Sequence, residues 1–201
     1  MSLSSLVNSQ KVKAPNPTPA PSDIADPEKY IILEGRQHGS YSYPHMLVSM
    51  EKSHFNKDWD DAHRNLAKKG EYMLTIRQFA DFLTLLKSGK AFDGNGKQVD
   101  KGKLEVVLND IIEVRDPYRG EWLDAKFEDG NIVYHFLESR IGWYNNVEKK
   151  EPLSNYIKTD KDPGISLNDW LTKANDHGLP TPKTNKGSMY YWAPVDGKVA
   201  R

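Results

Sequence analysis

Asp124 and Lys126 stand on either side of Ala125, and Asp116 lies a short way upstream. In an extended segment alternate side chains share a face, so Asp124 and Lys126 point the same way. Two carboxylates can hold Mg²⁺, and a lysine beside them can orient or deprotonate an attacking water, which is equipment for phosphodiester hydrolysis. The same residues also describe a solvated outer strand face, with Asp124, Lys126 and Glu128 alternating with buried Leu123, Ala125 and Phe127. Asp116 has no clear strand of its own. Charged residues make up 28% of the chain, so a D-x-K spacing arises readily by chance.

Six histidines are the next candidates: His38, His45, His54, His63, His135 and His177. None belongs to an HExxH motif or to a close metal-ligand pair. His54 and His63 flank Asp58, Asp60 and Asp61, where a carboxylate–imidazole metal site is conceivable. A simpler account is an acidic helix start, with aspartates at the positive end of the helix dipole. His135 alternates with Tyr134 and Phe136 and is expected on the solvent face. Asp93 and Asn95 fit the first and third positions of a calcium loop. Gln98 and Leu104 then occupy the places that require glycine and a bidentate glutamate, so the segment reads as a turn. There is no G-x-S-x-G, no phosphate-binding glycine loop and no dinucleotide fingerprint. No metal, cofactor or catalytic residue is assigned, and an enzyme is not the favoured reading.

Tyr41, Tyr43, Tyr190, Tyr191 and Trp192 form a different constellation. They lie in segments rich in Gly, Ser and Pro. Tyrosine on such loops suits an adaptable recognition surface, because it offers large area at small entropic cost. Large aromatic rings are also usually buried, so a core-facing position at the loop bases stays open.

The elements that must position these groups follow from periodicity. The clearest is Leu74–Leu86. Thr75 can cap a helix and Gln78 completes a capping box. Ile76, Phe79, Leu83 and Leu86 recur at helical spacing, Phe82 and Leu85 widen the stripe, and Ser88-Gly89 ends it. A helix at about 58–69 carries Trp59, His63 and Leu66 on one face and ends at Gly70. Leu104, Val107, Leu108, Ile111 and Ile112 predict a third, ending before Asp116-Pro117. Ser166 caps a fourth holding Leu167, Trp170, Leu171 and Ala174, closed by Gly178 and Pro180. Tyr30–Leu33 reads as the first core strand. Gly35–Pro44 reads as a loop, and Met46–Met50 as a strand or a helical turn. Asp129-Gly130 between two alternating runs is a strong hairpin signal. Tyr190-Tyr191-Trp192, Asp196-Gly197 and Val199 suggest a last hairpin whose second strand is only begun, as if the natural chain continues past Arg201.

Composition limits the function classes. The chain has 201 residues, 28 basic and 28 acidic, and a formal net charge of zero. Nucleic-acid binders usually carry a basic excess, so a nucleic-acid partner is not expected. With no cysteine, disulfides, thiolate zinc sites and a cysteine nucleophile are excluded. No apolar run approaches the roughly 18 residues of a membrane span, and MSLSSLVNSQKVK has no apolar signal core. The expected setting is soluble, cytoplasmic or virion-associated. Hydrophobic content is 37% and mean hydropathy −0.73, so the 5 Trp and 10 Tyr must supply much of the buried area. Residues 1–28 read as a flexible arm, with proline at every second position from Pro15 to Pro21. Residues 29–201 read as a single domain. Interleaved helices and strands without regular βαβ alternation predict an α+β class.

Tyr72-Met73-Leu74-Thr75-Ile76-Arg77-Gln78-Phe79-Ala80-Asp81-Phe82-Leu83 resembles the first-helix region of the formylglycine-generating-enzyme branch of the C-type-lectin fold. There a threonine caps a helix reading roughly T-x-x-Q-F-x-x-F. Tyr190-Tyr191-Trp192, followed by Asp196-Gly197 and Val199-Ala200-Arg201, is similar to the entry to that fold's terminal strands. The resemblance implies a mixed α+β fold with short helices packed on a small antiparallel sheet. It also implies kinship with the ligand-binding targets of diversity-generating retroelements in phages, bacteria and archaea. In those a hypervariable region occupies the C-terminal part, so Arg201 would sit near its start. The chain lacks the two cysteines of the enzymatic members, and formylglycine-generating activity is not implied. No calcium-site motif of the sugar-binding lectins matches.

The expectation is thus a non-catalytic binding protein that takes a protein or other macromolecular ligand through Tyr41, Tyr43, Tyr190, Tyr191 and Trp192. The alternatives are a Mg²⁺-dependent nuclease of the PD-(D/E)xK type using Asp116, Asp124 and Lys126, or a viral or assembly subunit that oligomerises through the N-terminal arm.

Overall fold

The computed structural model of the chain describes residues 24–113, 121–140, 143–152, 155, 164–179 and 189–190. A short 3-10 turn, Pro27–Lys29, leads into strand β1 (Tyr30–Leu33). The carbonyl of Pro27 accepts from Gly94 N–H, so the inner end of the expected arm is already tied to the folded body. Strand β4 (Met46–Ser49) pairs antiparallel with β1, which decides between strand and helical turn for that segment.

Gly35–Pro44 is not a loop. Strands β2 (Arg36–His38) and β3 (Tyr41–Tyr43) form an antiparallel hairpin with His38 opposite Tyr41. Its two-residue connection starts on Gly39 at φ 57°, a conformation that glycine adopts without a Cβ penalty. A chain rich in Gly, Ser and Tyr can fold this way because the two tyrosines have a core to enter.

The second hairpin follows the sequence closely. Strand β5 (Ala125–Glu128) and the first half of β6 (Asn131–Arg140) pair through Glu128 and Asn131. Asp129 and Gly130 both have positive φ, 49° and 72°, as a two-residue turn of the I′ type requires. Beyond that hairpin the same edge of β6 receives β3, at Tyr41 opposite Glu138, and the other edge carries β7 (Trp143–Pro152). The order is β2-β3-β6-β5, with β7 on the far side of β6.

Helix α2 (Ile76–Ser88) is the centre of the molecule. Thr75 and Gln78 complete the capping box, and Gly89 ends the helix at φ 66°. Every residue from Ile76 to Leu83 is buried, and so is Leu86. Phe79, Phe82, Leu83 and Leu86 join Ile31, Leu33, Tyr41, Tyr43, Leu104, Ile132 and Tyr134 in one core. A helix buried all round normally carries only apolar residues. Here the second face holds Arg77, Gln78 and Asp81, which bond inside the protein, although Arg77 Nε and Gln78 Nε2 have no hydrogen-bond partner.

Of the three further helices, α3 and α4 pack against α2. Helix α1 (Trp59–Ala67) starts on Asp58, whose side chain accepts from Asp61 N–H, and Ala62 is its one buried residue. Helix α3 (Lys101–Ile112) begins three residues before the first apolar position, capped by Asp100, and buries Leu104. Helix α4 (Leu167–Lys173) is capped by Ser166 and buries Trp170. After it the chain turns at Gly178, φ 85°, where an added Cβ would lie 2.6 Å from the Arg77 backbone. Between α2 and α3, Asp93 accepts from Asn95 N–H and Lys97 N–H, and Phe92 bridges Gln98, which is the turn expected there.

Strand β9 (Met189–Tyr190) pairs with β8 (Gly164–Ile165), a segment before α4. Asp196, Gly197 and Val199 lie outside the described residues. The class is α+β, with four helices and small antiparallel sheets among the described residues.

Candidate functional site

Asp81 gathers the densest set of polar partners. It lies on the inner face of α2 and is 2% exposed. Arg77, one turn earlier, donates from Nη2 to Oδ1 at 2.9 Å. The β2–β3 hairpin supplies the rest. Tyr43 donates its hydroxyl to Oδ2 at 2.6 Å, and His38 Nε2 lies 2.7 Å from the same oxygen. A carboxylate only accepts, so that imidazole nitrogen carries the proton. Arg36 adds a guanidinium nitrogen 3.8 Å from Oδ1. Beside this set Tyr41 and Thr75 share a 2.6 Å hydroxyl–hydroxyl bond. Burial pushes both tyrosine hydroxyls far above the ordinary phenol value, and for Tyr43 the bond to Asp81 adds to that. The arrangement can hold the hairpin against the helix. It leaves Asp81 no open oxygen at the surface with which to take a substrate proton.

A second cluster lies where α1 meets the β5–β6 hairpin. His135 on β6 donates from Nδ1 to Asp124 Oδ1 at 2.9 Å. His63 on α1 brings Nε2 to 3.6 Å from that same oxygen, and this nitrogen is buried without a hydrogen-bond partner. The Trp59 ring meets His63 edge to face at 4.1 Å between centroids. Glu148 on β7 stands 3.6 Å from His135 Nε2. The bond to Asp124 raises the His135 pKa above the usual imidazole value, whereas burial lowers that of His63. Opposite shifts in adjacent groups are the usual basis of acid and base roles, yet here both imidazoles are directed at one carboxylate oxygen.

A third imidazole, His177, stacks on Phe136 at 4.4 Å and bonds to the Tyr134 hydroxyl through Nδ1 at 2.7 Å. That hydroxyl also donates to Glu151 at 3.2 Å, and Glu151 pairs with Lys149. Burial, and then Lys149, push the His177 pKa down.

The five aromatic candidates separate. Tyr41 and Tyr43, expected as a recognition surface, are 0% and 2% exposed and belong to the core. The reason is the hairpin: with β2 and β3 paired, both rings fall on the side that covers α2. Tyr190 lies on β9. Tyr191 and Trp192 lie outside the described residues, as does Asp116. Asp124 is engaged by His135, and Lys126 reaches Glu128 at 3.4 Å. Among the described residues no three His, Asp or Glu side chains are grouped to hold a metal ion. His63 does not complete a site with Asp58, Asp60 and Asp61; it turns toward Asp124. His135, expected in solvent, is half-buried, because Asp124 and the α1 side chains cover that face.

The Asp81 network was absent from the sequence reading. Its one signal was local, an Arg77–Asp81 pair at helical spacing inside an otherwise apolar stripe. The His63–Asp124 approach had none, since the two residues are far apart in the chain. Among the described residues no helix is long and apolar enough to cross a membrane. No protein-family model, curated protein or solved structure matches this chain.

Proposed function

We propose that this chain is a non-catalytic recognition module, built on a plan similar to the C-type-lectin-like scaffolds of retroelement target proteins. Its ligand is a protein, taken through the aromatic segment Tyr190-Tyr191-Trp192. The observation that supports this reading is the Asp81 tie. It joins the β2–β3 hairpin to α2 through Tyr43, His38 and Arg77, and so commits these polar groups to rigidity. A rigid framework lowers the ordering cost of binding, which is what a presenting scaffold needs. Tyr41 and Tyr43 serve that framework from inside. Contact falls to the remaining three aromatics, the residue types that dominate binding hot spots. With zero net charge, affinity should depend weakly on salt.

The test is selection of a displayed protein-domain library against the full chain, with a glycan array as the competing arm. The expected result is a saturable protein binder whose affinity falls at least about tenfold, 1.4 kcal/mol, when Tyr190, Tyr191 and Trp192 are replaced by alanine. The unfolding midpoint should hardly move. Binders indifferent to the three substitutions, or saturable binding on the glycan array alone, would overturn the reading.

A further inference from the structure

Among the described residues, helix α1 is held by few groups, and they converge on one short segment. Ala62 is its one buried residue. Trp59 Nε1–H donates to the Leu123 carbonyl at 2.8 Å, and Trp122 Nε1–H reaches back to the Lys57 carbonyl at 3.1 Å. Between these lies the approach of His63 to Asp124, at 3.6 Å. The anchor of the helix is therefore residues 122–124, together with whatever His135 does to Asp124.

We propose that His63, Asp124 and His135 form an acid-released clasp that docks α1 on the β5–β6 hairpin at neutral pH and frees it on acidification. The argument is one of acceptors and charge. Asp124 Oδ1 already accepts from His135 Nδ1. A protonated His63 would carry an N–H at Nε2, which is buried and has no acceptor within hydrogen-bond distance. A buried cation whose N–H finds no acceptor, beside a carboxylate oxygen that His135 already engages, is costlier than a neutral ring in the same place. A second imidazolium beside Asp124 would also set two cations against one carboxylate.

The charges around the pair do not repair this. From β7, Glu148 faces His135, and from α1 itself Asp60 acts on His63. Both are solvent-exposed, so water and salt screen them. From β5, Lys126 adds positive charge near His135. Lifting α1 lets His63 take its proton in water. The groups it uncovers, the Trp59 indole and the Leu123 carbonyl, can both hydrogen-bond to water there. Burial holds the His63 pKa down and Asp124 holds that of His135 up, so His135 charges first and then opposes its neighbour. The released state presents Trp59 and the 122–124 segment as a surface that the docked state covers.

Amide exchange of the full chain, followed residue by residue by NMR, tests the clasp. Protection factors, corrected for intrinsic exchange, are compared at about pH 7.5 and about pH 5, on either side of the imidazole range. The expected result is a loss of protection of at least about tenfold along Trp59–Ala67, with α2 protection retained. In His63→Gln the α1 protection should become independent of pH over the same range. In His135→Gln, where one cation is removed, release should move to lower pH. Unchanged α1 protection at the lower pH in the native chain would overturn the clasp, and so would an equal loss in His63→Gln. Should His63→Gln not fold, the His135→Gln shift decides, and no shift counts against the clasp.

Discussion

Asp81 receives a tyrosine hydroxyl, an imidazole and a guanidinium inside the protein, and each of these would be costly to bury alone. The carboxylate lets Arg77 remain in the interior, where its side chain is only 7% exposed. Asp81→Asn keeps the shape and removes the charge. Removing one member of a buried pair leaves the other uncompensated, at a cost of about 3 kcal/mol. The expected outcome in urea unfolding is a loss of that size with an unchanged slope. A loss under about 1 kcal/mol, the range of an exposed pair, would mean that water reaches Arg77 in solution. The same residue shows where sequence reading stops. Arg77 and Asp81 stand at helical spacing, yet whether such a pair lies in solvent or in the core depends on what covers the helix.

Thr75 performs two duties at the entry of α2. It caps the helix by accepting from Gln78 N–H, and it pairs with the buried Tyr41 hydroxyl. The first duty was legible, because S/T-x-x-E/Q ahead of an apolar stripe is a local signature. The second comes from a strand more than thirty residues upstream and has no local sign. Thr75→Ala removes the cap, worth about 1 kcal/mol, and leaves the Tyr41 hydroxyl buried without its partner, a further 1 kcal/mol or so. We expect about 2 kcal/mol lost in chemical denaturation, with Thr75→Ser recovering most of it. If serine recovers nothing, the threonine methyl rather than its oxygen is what matters. Helix α1 is the contrasting element. Its acidic start was legible too, but its hold on the sheet rests on His63 and Trp59 meeting Asp124 and Leu123, just ahead of β5.

At the scale of the whole molecule, three histidines with shifted pKa values shape the response to pH across the imidazole range. Burial lowers the pKa of His63 and His177, so the unfolded chain binds more protons than the native one just below the ordinary imidazole value. Stability therefore falls as pH drops through that window. His135 has the opposite sign. Its pKa is raised by Asp124, so its contribution is complete below the ordinary value and is lost as pH rises through the native one. The expected stability curve is a dome with its maximum near about pH 6.5, steeper on the acid side, where two groups act and not one. Urea midpoints at about pH 5, 6.5 and 8 test this, and a steady climb across that range would show that His135 is not held by Asp124 in solution.

Local physics determined what the sequence could reveal alone. The capping residues Thr75 and Ser166 each satisfy backbone N–H groups within their own next turn, so those helix starts are written within a few residues, whereas the Asp58 and Asp100 caps were seen only in the structure. Asp129-Gly130 sets a two-residue hairpin for the same reason, since both positions need positive φ. Tertiary structure decided the rest. It turned Gly35–Pro44 into a hairpin and put Tyr41 and Tyr43 in the core. It paired β9 with β8, drew His63 to Asp124, and made Asp81 the tie between helix and sheet. Each of those outcomes depends on which distant segment removes water from a face, and burial by a distant segment leaves no mark in the neighbouring residues.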